Sequence, residues 1–435
     1  MIPNSKKVTI IAFLSIIFFI QINSVALAEN SSEKNYYVSP KGKDANPGTK
    51  KKPWKTIQHA AKVLEPGDTV FVREGVYSEF IHITKSGSKN LGNITFQSFP
   101  GEVAILEGKK LTVTSAKRAF FYIDNASYIR IEGFELRNLK TRKQNRYPVG
   151  ILVKGGSSNI HLSDNNIHHI ENKSRKGNAH GILIYGNTSN AMSSITVNNN
   201  EIHHLKLGSS EALTFSGNIQ QFAITHNEIH HNNNIGIDVA GFYNACETDD
   251  CVDQARDGII ANNKVYKNSS KRNVSYKEYS AGGIYADGST QLTIVNNIVA
   301  YNDFGIELAS EKEGKTSSEI DVKNNIIYSN NGAGIIAGGA EKNNGGSSNN
   351  SIVSNVLMFN DQSDEGYGEI TMQWNTKENQ ILNNIIYSKE KDEYLQNLGD
   401  DAMSNIYLNN TIHSFEEKPF FFAPVTAFFK NLRWW

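Results

Sequence analysis

The chain lacks an excess of either charge. Its 44 Lys and Arg balance 44 Asp and Glu, so nothing supplies the basic face that a nucleic-acid partner would require. Cysteine is nearly absent. The two present, Cys246 and Cys251, lie close together in a polar stretch. Two ligands cannot close a tetrahedral zinc site, and in an exported protein such a pair reads as a local disulfide; two free thiols are the alternative. Long apolar runs are absent beyond the first thirty residues, so no later segment can span a bilayer.

That one early run has the layout of an export signal. Lys6 and Lys7 precede the apolar stretch from Val8 to Ile20, and Ala26-Leu27-Ala28 forms a small-residue cleavage site. Residues 1–28 are therefore expected to be a signal peptide and 29–35 a spacer, the mature protein being secreted or at the cell surface. An uncleaved anchor is the competing reading.

What the chain has in abundance is repetition. Asn165, Asn200, Asn227, Asn263, Asn297, Asn325, Asn355, Asn384 and Asn410 recur every 26 to 36 residues, each two places before Ile, Val or Leu. A period of that length marks a solenoid, and the alternation around each Asn has the period of a strand. A buried Asn survives only if its amide is satisfied. One per coil, stacked, satisfies the amides reciprocally. The expectation is an all-β, right-handed parallel β-helix of about ten coils with an Asn ladder. It spans residues 36–414 as one domain. Residues 54–64 have helical spacing and are expected to cap the open end of the core. An aromatic segment, 415–435, would pack on the last coil or dock to a partner.

The N-terminal run YYVSPKGKDANPGTKKKPWKTIQHAAKVLEPGDTVFVREGVYSE, residues 36–79, resembles a segment found on many exported bacterial β-helix proteins of the pectate-lyase-like superfamily. With the repeats, the resemblance covers nearly the whole mature chain. It implies the fold and a carbohydrate-active setting. It does not imply one reaction, because that superfamily houses lyases, hydrolases, epimerases and adhesins.

A second column fixes the strand register. Gly150, Gly181, Gly236, Gly283, Gly305 and Gly334, with Ala212 and Glu369 in equivalent places, each precede an apolar residue, and the residue two further on is apolar again. Those positions face the core, so the residues between them face out. The outward positions read Leu152, Leu183, Thr214, Asp238, Tyr285, Glu307, Ile336, Thr371, and then Lys154, Tyr185, Ser216, Ala240, Asp287, Ala309, Gly338, Gln373. Three acids fall in consecutive coils, side by side in solvent, and Glu311 follows just past a strand end. At a coil spacing of about 4.8 Å, Asp287 lies about 8 Å from Asp238 and from Glu307 between Cβ atoms. Tyr285 stands between Asp238 and Glu307, placed to hydrogen-bond either.

Crowded carboxyls split into a proton holder and an ionised group, which is what glycosidic hydrolysis needs. The catalytic candidates are Asp287, Glu307, Asp238 and Glu311. Tyr185, Tyr285, Gln373 and Trp374 are the candidates for holding sugar. The segments GIYADG and GIELASE are similar in kind to the paired acids of β-helical retaining β-xylosidases. That similarity implies Asp287 as nucleophile or base and Glu307 or Glu311 as acid, or the reverse. Such a hydrolase requires no cofactor and acts as a monomer on a polysaccharide.

The rival is a calcium-dependent polysaccharide lyase. Asp249, Asp250 and Asp253, in the Cys loop beside Asp238, would then hold Ca²⁺. Such lyases need a basic residue beside the metal, and the strands GIDVAG, GIELAS and GIIAGG carry no lysine. A surface protein that binds carbohydrate without chemistry is the third class. The histidine pairs 168–169, 203–204 and 230–231 recur at coil spacing on the strand after the ladder, and suit stacking better than a shared metal. The NNGGSSNN stretch, 343–350, reads as loop.

Overall fold

The computed structural model describes residues 34–389, 394–399 and 404–414. The expected export signal and aromatic tail lie outside those residues. Among the described residues the chain winds through three parallel sheets, with 11, 12 and 16 strands. Strands inside each stack pair in parallel with the counterpart one coil earlier and the one a coil later. This is a right-handed parallel β-helix, and no described helix is long and apolar enough to cross a membrane.

The asparagine column forms the expected ladder. From Asn165 to Asn410 each side-chain Nδ2 donates to the Oδ1 of the next Asn at 2.9 or 3.0 Å. The same amide also donates to a backbone carbonyl of the preceding coil, as Asn297 does to Ile260 at 2.9 Å. The residue before each rung is left-handed, from Asp164 and Asn199 to Asn383 and Asn409, with φ near 55°. Asn reaches that conformation more readily than other non-glycine residues. The frequent Asn-Asn pairs thus combine a turn residue with a rung.

A second ladder was not visible in the sequence reading. Asn232, Asn268, Asn302, Asn330 and Asn360 sit five places after a rung of the first and are linked in the same way. Glu369 ends it, accepting from Asn360 Nδ2 at 2.6 Å. The stretch 343–350 is also more ordered than a loop. Gly346–Ser348 is a strand, and Asn350 heads a third ladder through Asn379 to Asn405.

The core contains all the predicted inward positions, including Ile151, Ile182, Phe215, Val239, Ile284, Ile306, Ile335 and Met372. The glycine column allows the coils to close up. A Cβ on Gly150 would stand 2.4 Å from the Gly181 carbonyl oxygen, and one on Gly305 2.1 Å from that of Gly334. The helix Ile57–Val63 covers the first coil with Ile57, Ala60 and Ala61 buried. Thr56 caps it by accepting from the His59 N–H at 3.1 Å, and the Glu79 carboxylate accepts from the N–H groups of Ile57 and Gln58.

The histidines stack as expected. His168, His203 and His230 lie ring on ring at 5.0 Å, and Tyr266 continues the column at 4.8 Å. Burial, then the charge of neighbouring imidazoles, pushes His203 down to about 3.

Candidate active site

The site lies on the 11-stranded sheet. Its strands Val149–Lys154, His180–Gly186, Leu213–Gly217, Ile237–Ala240, Gly282–Asp287 and Phe304–Ala309 are adjacent in that order. The pairing Leu152, Leu183, Thr214, Asp238, Tyr285, Glu307, Ile336, Thr371 is the predicted register throughout.

The acids point away from the core, but not into open solvent. Asp238 is 5% and Asp287 4% exposed. The expectation of a solvated row is corrected by the loops. The connection between Ala240 and Arg256, closed by the Cys246–Cys251 disulfide, brings Tyr243 over the strands, and the 269–281 connection brings Tyr276. They leave a cleft in two chambers. The first, about 690 Å³, is lined by Glu211, Asp238, Asp287, Glu311, Tyr185 and Tyr285 among others. The second, about 540 Å³, is lined by Glu307, Gln373, Tyr367 and Lys271. Tyr276, Tyr285 and Glu311 border both.

Sequence reading missed two residues here. The Tyr243 hydroxyl is within hydrogen-bond distance of Asp287 Oδ2 and lies 2.9 Å from Glu311 Oε2. Glu211 precedes the anchor Ala212, and its Oε2 accepts from the Thr214 hydroxyl at 3.0 Å. His180 Nδ1 is 2.9 Å from the same hydroxyl; since that hydroxyl donates to Glu211, the ring nitrogen donates to it. Burial holds His180 at about 4, so this imidazole is neutral near pH 7. Tyr243 carried no signal in the strand columns, because a loop delivers it. Glu211 stands one place before the anchor Ala212 and three before Thr214, outside both outward columns.

Electrostatics follow from burial. Removal from water pushes Asp238 well above the usual carboxylate range, with Glu211 and Asp287 adding to the shift. Burial does the same to Asp287, where the charge of Glu311 adds and the Tyr243 hydrogen bond opposes. Glu307 is raised by burial, then by Asp287. Glu211 is pushed up to about 7 by burial. One oxygen on each of Asp238, Asp287 and Glu307 is buried without a hydrogen-bond partner.

Several expected contacts are absent. Among the described residues Tyr285 hydrogen-bonds neither Asp238 nor Glu307; its hydroxyl faces their charge instead. Trp374 lines neither chamber and packs beside Gly339 with Lys342 over its ring. Asp249, Asp250 and Asp253 are not gathered into a three-carboxylate group. No three His, Cys, Asp or Glu side chains among the described residues are placed to share an ion. Asp253 instead accepts from the Ala245 N–H at 3.3 Å, bracing the loop.

A parallel β-helix with a loop-covered cleft on one outward strand face is the architecture of the pectate-lyase-like superfamily. The chain belongs to the family described as right handed β-helix region, which matches residues 149–386. A second description, Pel9A-like right handed β-helix region, matches residues 36–205 and so ends before Glu211 and the other cleft acids. The chain is 36% identical over 385 residues to the uncharacterized protein YwoF of Bacillus subtilis (strain 168), covering 87% of this chain and 81% of that one. Among solved structures, a GH136 lacto-N-biosidase from Eubacterium ramulus aligns with TM-score 0.60 at 15% identity, over 88% of this chain and 68% of that one. A rhamnogalacturonan lyase aligns with TM-score 0.56 at 17% identity, over 89% and 88% respectively. At such identities the likeness is one of fold.

Proposed function

We propose that this protein is an exported enzyme that hydrolyses glycosidic bonds in a polysaccharide, with Asp287 and Glu311 as the reacting pair. The observation that carries the reading is the Tyr243 hydroxyl held between those two carboxyls. A phenol donates one hydrogen bond. Its second contact is favourable only when one carboxyl keeps a proton and donates it to the phenol oxygen. The trio therefore stores one proton between two acids, the condition for acid and base catalysis at a single pH.

Asp287 is the proton holder, being buried and pushed upward by Glu311. Glu311 at the cleft mouth is the nucleophile. Two carboxyls bridged by one oxygen lie within about two hydrogen-bond lengths, roughly 5–6 Å. That spacing fits retention, at about 5–5.5 Å, better than inversion, which needs room for a water between the acids. Asp287 protonates the leaving oxygen while Glu311 attacks the anomeric carbon. Asp287 then takes a proton from the water that releases the sugar. Tyr185 and Tyr285 offer ring faces to the sugars, and Gln373 offers a polar contact in the second chamber.

Calcium-dependent β-elimination is the second reading, favoured by the Pel9A-like match over residues 36–205. Digestion of a polysaccharide panel with and without chelator separates the two. New reducing ends without absorbance from an unsaturated product, unaffected by chelator, support hydrolysis. Chelator-sensitive absorbance would replace it with elimination. Binding with neither product would leave a carbohydrate-binding protein.

A further inference from the structure

The proposed hydrolysis uses two of the eight carboxyls that line the cleft; Glu211, Asp238, Asp287, Glu307 and Glu311 form its acidic centre, and Glu247, Glu278 and Glu365 also line it. Among the described residues Arg118 and Lys154 line the first chamber and Lys271 the second without pairing with the central five acids, and His180, 3.9 Å from Glu211 Oε2, is kept neutral near pH 7 by burial. Lys312 lies over the Tyr243 ring, its ammonium 3.9 Å from the centroid. Lys271 lies over Tyr279. At the opposite end Arg118 stacks on Tyr147, and Lys154 is 3.5 Å from Glu247. Among the described residues none of these forms an ion pair with the five. Arg118 precedes a strand four coils from that of Asp238, about 19 Å away.

The cleft also contains acceptors that lack donors. Asp238 and Asp287 are each more than nine-tenths buried, line the first chamber, and hold one oxygen with no partner; Glu307 holds a third. Those oxygens are themselves closed to solvent, so donors from a ligand would reach these acids only through the carboxyl atoms that line the chamber. A shared metal ion does not fit, since no three of these side chains converge on one point. An anionic ligand does not fit either. Its carboxylate would add like charge to a site already short of counter-charge, in a region where water screens little.

We infer that the sugars seated at the centre of this cleft carry no acid group, so that the substrate is a neutral or amino-substituted glycan whose O–H or N–H groups meet the carboxyls lining the chambers, and a polyuronate is excluded. The inference rests on the glycan-cleaving reading and narrows it to a substrate class.

Calorimetric titration of the full chain at pH 7 tests it. The ligands are hexasaccharides of xylan, glucan, mannan, galactan, chitosan and polygalacturonate, each with EDTA and separately with calcium chloride. At least one neutral or amino hexamer is expected to bind about 100-fold more tightly than the uronate hexamer. Glu211→Gln combined with Asp238→Asn should narrow that gap about tenfold by strengthening uronate binding. A uronate hexamer that binds as well as the best of the others, in either condition, overturns the inference while leaving the glycan reading intact. Binding of none removes the glycan reading and the inference together.

Discussion

Two sets of polar side chains are buried in this molecule, and they are built on opposite terms. The ladder asparagines repeat once per coil, and each amide is bonded to the coil before and the coil after. The cleft acids occur once each, crowd one another, and leave buried oxygens unpartnered. Burying a polar group costs stability unless a partner replaces water. The ladder meets that condition and adds cohesion between coils. The acid cluster violates it, and such violations concentrate at functional sites.

Substitutions at the two places should therefore have opposite effects. Asp287→Asn is expected to lower turnover by about 10²–10⁴-fold while leaving the melting temperature unchanged or higher, because an amide of the same shape cannot ionise in a buried acidic cluster. Product release and thermal unfolding on the same preparation check both halves. Unchanged turnover would remove Asp287 from the reaction. Asn297→Ala should do the reverse. It leaves buried donors and acceptors of neighbouring coils unmet, at a cost of about 1–3 kcal/mol, and activity per folded molecule should remain near normal. Denaturant titration reads that loss, and a stability equal to wild type would mean that the ladder is dispensable.

Legibility in the sequence divides along the same line. The ladder, the core columns and the strand register are repeated many times, so each position is confirmed by the others. The second ladder escaped because its first two coils carry Ile170 and Leu205 in place of Asn. The acid row was placed correctly by register alone. What the columns could not show was the lid, since Tyr243 and the loop closed by Cys246 and Cys251 belong to no repeat. Without that loop the acids read as exposed. With it they are buried, and their chemistry changes.

The lid can be tested separately. Cys246→Ser with Cys251→Ser should cost the fold little, about 2 kcal/mol at most for so short a loop, with unfolding confined to residues around the cleft. Tyr243 would then sit less firmly between Asp287 and Glu311. A fall in kcat larger than that of a loop substitution remote from the cleft is expected, together with a widened acid limb of the pH profile. Tyr243→Phe should reproduce the change in profile without the loss of stability. If neither variant alters the profile, the shared proton is not held through Tyr243.

The subtlest contrast is in the response to pH, where the histidine strip and the acid cluster pull in opposite directions. Glu211 rises from an ordinary 4.5 to about 7 on folding. The stability it contributes is complete below pH 4.5 and is lost as pH climbs through 7. His203 falls from 6.5 to about 3, and His230 to about 4. Their contribution is complete above pH 6.5 and is lost as pH drops through that range. Stability should therefore decline on both sides of a maximum between about pH 5 and 6.5. Glu211→Gln should lift the alkaline side alone, by on the order of 1–3 kcal/mol, and His203→Phe should lift the acid side alone. Melting curves from pH 3.5 to 8.5 would show it. If both substitutions shifted the same limb, the two regions would be coupled, and the cleft would sense charge across the full width of the coil.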